Sequence, residues 1–515
     1  MAFKKALIAG ASLMALTGEV NAQEALRTTT SAPAPDARDE RISALEQALS
    51  DIQAQLSDLK AGAAADVAEV RRVQAEAPVL DVKNGRPTFS TADGKFKVAV
   101  RGLFQADTAS YLQDDRTPDR RGAGSGSSAD NVFARDLNSG VNIRRARIGL
   151  EGTVLKDWNW ALTYEAGGSG TESAQLQQAW IEYAGFKPAG LPLRIRGGVF
   201  SATTGLEDAT NNTDSVFSER AAPAELVRGL AGGDGRNGIG AYINGERWNA
   251  SAAWTGSLIQ NPNGTAAGDF DEQSGYTARL SFLPIKSPDY NFHLGVNFNG
   301  VINPADTVAP GATGPATVRL RERGELRVDG VRLVDTGNLG AENVHAIGYE
   351  LGASYKNFLV TGEYFDINVD RTGVLSDAEF SGWYAQGSWV LTGEKRAWNP
   401  ASGGYGGVKP EKPFKLGESW GAWEIAARYS TLDLNFSEGV TGLATPAGGV
   451  RGGEQEISSV ALGFFPNNVI RFILDYKFVS IDRLNPTTLA ASGVPVGAQI
   501  GQDYDVVSLR SQVAF

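Results

Sequence analysis

From Lys95 to the last residue, apolar and polar side chains alternate with a period of two. Lys95–Tyr111 opens the pattern, with Phe96, Val98 and Val100 on one face and Lys97, Arg101, Gln105 and Asp107 on the other. Such alternation marks a strand with two different environments on its two sides. It predicts strands at 95–111, 142–154, 158–166, 175–184, 192–200, 237–245, 247–256, 275–283, 290–299, 344–355, 357–366, 380–392, 420–431, 457–465, 468–479 and 503–515. An even number of strands, sixteen, suits a closed antiparallel barrel. Their connections alternate long and short, apart from a long one at 393–419. Long extracellular loops and short periplasmic turns produce that rhythm, and it places both ends of the barrel in the periplasm. A stretch of mixed character, Glu325–Val334, is assigned to the fifth outer loop, 300–343.

One face of these strands is rich in Trp, Tyr, Phe and Leu, for example Trp158, Leu162 and Tyr164, or Phe472, Leu474, Tyr476 and Phe478. The other carries Arg and Glu, which cannot form a dry core without partners. The fold class is therefore all-β: a 16-stranded antiparallel transmembrane barrel over 95–515, with an N-terminal α-helical coiled-coil segment.

The N-terminal region follows a different rule. Lys4 and Lys5 precede an apolar run, Ala6–Leu16, and small residues end at Ala22. This reads as a signal peptide over 1–22. A linker, 23–41, leads into a heptad pattern over 42–77. Ile42, Leu49, Leu56, Ala63 and Val70 occupy one seam position; Leu45, Ile52, Leu59, Asp66 and Val73 occupy the other. So narrow a stripe calls for self-association. A second linker, 78–94, joins it to the barrel. The expected location is the bacterial outer membrane, with the coiled coil in the periplasm.

Composition narrows the chemistry. There are no Cys and two His, which leaves no thiol catalysis and few transition-metal sites. Neither a cofactor nor a metal is expected. Formal net charge is −11, against the basic footprint of a nucleic-acid binder. Yet the inward face of the predicted strands holds eleven basic against eight acidic side chains. A locally positive pore focuses its field and favours anions, and the Arg fork matches phosphate or carboxylate oxygens. Pore-lining, anion-binding candidates on the strands are Arg101, Arg145, Arg147, Arg194, Arg196, Arg279, Arg428 and Arg471. Arg144 has the parity of the lipid face and is a candidate contact for lipopolysaccharide phosphate. His293, on the inward face, has no nucleophile at defined spacing, so no catalytic residue is assigned and the chain is not read as an enzyme.

Several stretches resemble the phosphate-selective porin O and P family: RGLFQAD (101–107), RRARIGLEG (144–152), GVFSATTGLED with SERAAP (198–208 and 218–223), and TGEKRAWNP with PFKLGESWGAWEIAARYSTLDLN (392–400 and 413–435). The resemblance implies sixteen-stranded barrels assembled as homotrimers, with the third loop folded inward as a constriction. It adds Arg220 and Arg228 in that loop as eyelet candidates. The family's phosphate-selective members gather Lys at the outer mouth, whereas the eight outer loops here contain none.

The resulting reading is a passive diffusion channel for small hydrophilic solutes, with a preference for anions such as phosphate. The alternative is a structural tether, in which the coiled coil links the outer membrane to the peptidoglycan wall and the barrel is an anchor. Expected partners are a second and third copy of the chain, outer-membrane lipid and lipopolysaccharide, small anions and, for the tether, peptidoglycan; nucleic acid is not among them.

Overall fold

The structure, a computed structural model, describes residues 35–83, 85–113, 135–168, 175–259, 272–305, 316–486 and 494–515. The expected signal peptide and most of the first linker lie outside them. Pro35–Glu76 form one helix, α1, as a separate unit from Pro78–Phe515. Along α1 the seam side chains Ile42, Leu45, Leu49, Ile52, Leu56 and Leu59 are all exposed.

The second unit is the barrel. Its strands are β1 Phe96–Leu112, β2 Gly140–Val154, β3 Trp158–Glu165, β4 Gln175–Tyr183, β5 Arg194–Ala202, β6 Gly233–Asn244, β7 Trp248–Leu258 and β8 Ser274–Lys286. They continue as β9 Tyr290–Asn303, β10 Leu339–Tyr355, β11 Phe358–Arg371, β12 Ala378–Val390, β13 Ala422–Phe436, β14 Val450–Phe465, β15 Ile470–Asp482 and β16 Asp503–Ala514. Each pairs antiparallel with the next, and β16 returns to β1 with Arg510 opposite Asp107. Closure leaves no long free edge. The seal continues one residue beyond β16, where Gly102 and Phe515 exchange backbone hydrogen bonds of 3.0 Å. The Phe515 ring lies over Gly102 so closely that a Cβ there would sit 2.4 Å from it. A side chain at this position would have to displace the Phe515 ring.

All sixteen predicted strands are present, most of them longer at the outer end than the alternation indicated. The outward rows are apolar and exposed, including Trp158, Leu162, Phe282, Leu294, Trp389, Leu474 and Phe478. A periplasmic-end aromatic cluster joins Trp423, Phe464 and Phe472, with Trp423 and Phe464 ring centres 4.4 Å apart. Aromatic girdles at the interface are the expected membrane anchors.

The residues expected to form a linker at 78–94 do not. Val79–Lys83 and Arg86–Ser90 make a small hairpin that pairs with the start of β1, Thr88 opposite Ala99. Three connections also fold inward. The third outer loop carries α2, Leu206–Ala209, and α3, Ala222–Ala231. Pro223 sits in the first turn of α3, where its missing N–H costs nothing. The helix buries Leu226, Val227 and Leu230 against Val344, Phe365, Ile367 and Leu432, side chains that point inward from the wall. The fifth outer loop contributes Leu320, Leu326 and Val334 to the same cluster. So part of the lumen is a dry core rather than water, and inward polarity alone did not foretell it. The third inserted segment is the long periplasmic connection, 391–421, which buries Tyr405 and Val408. That is why its length breaks the rhythm of the connections.

Candidate pore

The insertions fill much of the barrel and leave open space beside β1–β6. Two cavities lie there, an outer one of about 300 Å³ and an inner one of about 520 Å³. They share Arg147, Arg228 and Asp234, so these side chains mark the constriction between them. Arg147, on β2, donates to Glu165 at 2.5 Å and to Asp234 at 3.0 Å. From the opposite side Arg228, on α3, reaches Asp234 at 2.7 Å and Asp208 at 2.6 Å. Arg220 approaches Asp208 at 3.2 Å and Glu225 at 3.3 Å.

The constriction is thus a mesh of guanidinium and carboxylate groups. Burial pushes the Glu225 carboxyl up, but Arg228, Arg220 and Arg327 together outweigh it and hold it down at about 2. Glu219 is likewise held well below the usual carboxylate range: burial opposes ionisation, and Arg144, Arg510, Arg145 and Arg327 override it. Glu219 and Glu225 therefore stay charged at neutral pH and pair with the arginines around α3. Glu207, at the start of α2, behaves differently: burial raises it to about 7, and Arg428 offsets this only in part.

Six of the ten candidate arginines line the cavities: Arg101, Arg145, Arg147, Arg220, Arg228 and Arg471. Among the described residues, two of these have no carboxylate within ion-pair distance. Arg145 donates to Gln105 at 2.7 Å, and Arg471 to the Val216 carbonyl at 3.1 Å. The other four line neither of these two cavities, and for Arg279 and Arg428, whose side chains are fully buried, this corrects the expectation. Arg279 is held by Glu350 at 2.7 and 2.8 Å and capped by the Ser402 and Gly403 carbonyls of the 391–421 segment. Arg428 is sealed between Glu207 and Glu325 beneath the third and fifth loops. Arg196 lies over the Trp180 ring at 4.0 Å and donates to Glu182 at 2.7 Å, while Arg194 donates to the Ala401 carbonyl. Strand parity put all four inside the wall but could not show that folded loops cover Arg279 and Arg428.

Arg144 is a further correction. A bulge opposite Gln105 and Ala106 lets both Arg144 and Arg145 turn inward. Arg144 is buried and donates to Glu219 at 2.7 Å, away from any lipid. His293 is fully buried too. Trp398 donates to its Nδ1, so its Nε2 carries the proton shared with Glu350 at 3.1 Å. Neither ring nitrogen is left to act on a substrate.

Sequence reasoning underrated the fifth outer loop. Arg319, Arg321, Arg323, Arg327 and Arg332 all line the outer cavity, which in total shows ten Arg against Glu165, Glu225, Asp234 and Glu322. The signal was visible as five Arg within fourteen residues, masked by the acids among them.

The sequence profile of the phosphate-selective porin O and P family matches residues 125–515. The chain belongs to that family. It is an outer-membrane porin. Porin O of Pseudomonas aeruginosa is 26% identical over 428 residues, covering 79% of this chain and 88% of the relative. Among solved structures, the trimer form of OmpT from Vibrio cholerae is 10% identical, with a TM-score of 0.44 over 82% of this porin and 99% of that chain. The anion-selective porin of Comamonas acidovorans is 13% identical, with the same TM-score over 82% and 100% of the two chains.

Proposed function

We propose that this porin is a passive channel that prefers small anions, phosphate among them, and that the arginine-lined path beside β1–β6 is the route they take. The observation that carries the reading is the charge of that path. Among the described residues, the two cavities together are lined by fourteen Arg and six Asp or Glu, in a chain whose net charge is −11. Narrow, low-dielectric walls strengthen such a field, while partly paired arginines keep each stop weak enough for release. Arg145 and Arg471, free of carboxylate partners among the described residues, are the strongest anion stops on either side of the constriction. The five arginines of the fifth loop do at the outer mouth what Lys does elsewhere in the family.

The channel works as a homotrimer with α1 in the periplasm. The exposed seam of α1 supports self-association, because an apolar a/d stripe left in water is satisfied by further copies of itself. The tether reading keeps a place on the same observation, with peptidoglycan as partner; removal of α1 that detaches the envelope but spares solute uptake favours it. Liposome swelling tests the channel: an anionic solute should enter faster than a cationic one of equal size, and equal or reversed rates reject the anion preference.

A further inference from the structure

We propose that the 79–90 hairpin completes the pore wall at its periplasmic end, and that Arg86 on it is a selectivity-determining residue at the exit. The proposal rests on the anion-channel reading and extends it to a segment that precedes the barrel.

Two observations place the hairpin in the wall. β16 and the terminal Phe515 cover β1 only from Gly102 upward, so the edge of β1 below that point is open to another partner. The hairpin takes it, with Thr88, Phe89 and Ser90 opposite Ala99, Val98 and Lys97. The alternation of the barrel then continues unbroken. Phe89, with Leu80 opposite it, shares the outward face of Val98, and both are exposed. Arg86 and Thr88 share the inward face of Ala99 and Arg101.

Charge gives that face its role. Arg86 bonds Glu151 on β2, and Arg101 donates to the other oxygen of the same carboxylate at 2.9 Å. Two guanidinium groups therefore share one acid, and a net positive charge remains. Both arginines line the inner cavity, and Arg86 also borders a smaller cavity of about 250 Å³ with Lys97, Trp180 and Glu182. The three side chains of the triad are each about a third to a half exposed, in contact with passing ions rather than sealed like Arg279. Without Arg86, Arg101 and Glu151 cancel, and the exit loses its excess charge.

The experiment uses the full chain in planar bilayers and reads the zero-current potential under a potassium chloride gradient. R86Q should lower the chloride-to-potassium permeability ratio by about two- to five-fold, the effect of one solvated charge close to the ion path. R86K should keep the ratio near that of the unmodified channel. Because the chain contains no cysteine, R86C offers a second arm: a cationic thiol reagent should restore the ratio and an anionic one should depress it further. Ratios unchanged in R86Q, or indifferent to the sign of the reagent on R86C, overturn the proposal. The anion-channel reading has its own readout here, since an unmodified channel without chloride preference rejects that reading, while the displacement caused by R86Q still decides the role of Arg86.

Discussion

Arg145→Gln offers a clean perturbation of the pore charge. Arg147 and Arg228 are bound to carboxylates, so neutralising either would release an acid as well as remove a base. Among the described residues Arg145 has no such partner. It makes one side-chain hydrogen bond, to the Gln105 oxygen at 2.7 Å, and a glutamine can still donate to that oxygen. The substitution therefore removes one positive charge from the outer cavity without uncovering a negative one. A unit charge about 4 Å from an ion is worth roughly 1 kcal/mol in bulk water and more in a narrow, poorly polarisable pore. That is about a five-fold fall in local anion occupancy. In bilayers the zero-current potential should move toward the cation side by the corresponding amount, and raising the salt should shrink the difference. Arg279→Gln, in the sealed half, should leave the potential unchanged. If the two variants behaved alike, the assignment of open and sealed halves would be wrong.

Three further outcomes follow from the inserted loops and the helix. Arg428→Met strands the buried Glu207 and Glu325 carboxylates and should cost about 3–5 kcal/mol; adding Glu325→Gln should recover part of the loss, read as the temperature at which the barrel unfolds in detergent. Burial raises Glu207 to about 7, above its unfolded value, so its contribution to stability is complete below about pH 4.5 and disappears as the pH climbs through 7. Over that window the unfolding temperature of the native chain should fall more than that of Glu207→Gln, and parallel curves would reject the assignment. Leu49→Asp with Leu56→Asp puts charge into the α1 seam and should abolish disulfide cross-linking between copies through an Ile42→Cys reporter; cross-linking that persists contradicts the coiled coil.

The wall was legible because hydrocarbon on one side and polar groups on the other impose a two-residue rhythm, which sixteen segments of this chain obey. Parity also put Arg145 and Arg147 on the inward face, where both line the outer cavity. It misplaced Arg144, since one extra residue in a bulge reverses which side a residue faces. What fills the barrel left no rhythm. Glu325 reaches Arg428 across 103 positions, and Arg279 reaches Ser402 across 123. Pairings of that kind join loops with no periodic pattern, so sealed arginines looked the same as open ones. The 79–90 hairpin was hidden for another reason: its strands have only five residues each, and Pro87 weakened the second as a strand signal.

The most direct test of the arginine-lined route is crystallographic, with anomalous scattering from crystals soaked in bromide or in rubidium. The account predicts bromide peaks in both cavities, near Arg145 and Arg471, and none beside Arg279 or Arg428. Rubidium along the same path, with bromide missing from it, would contradict the account.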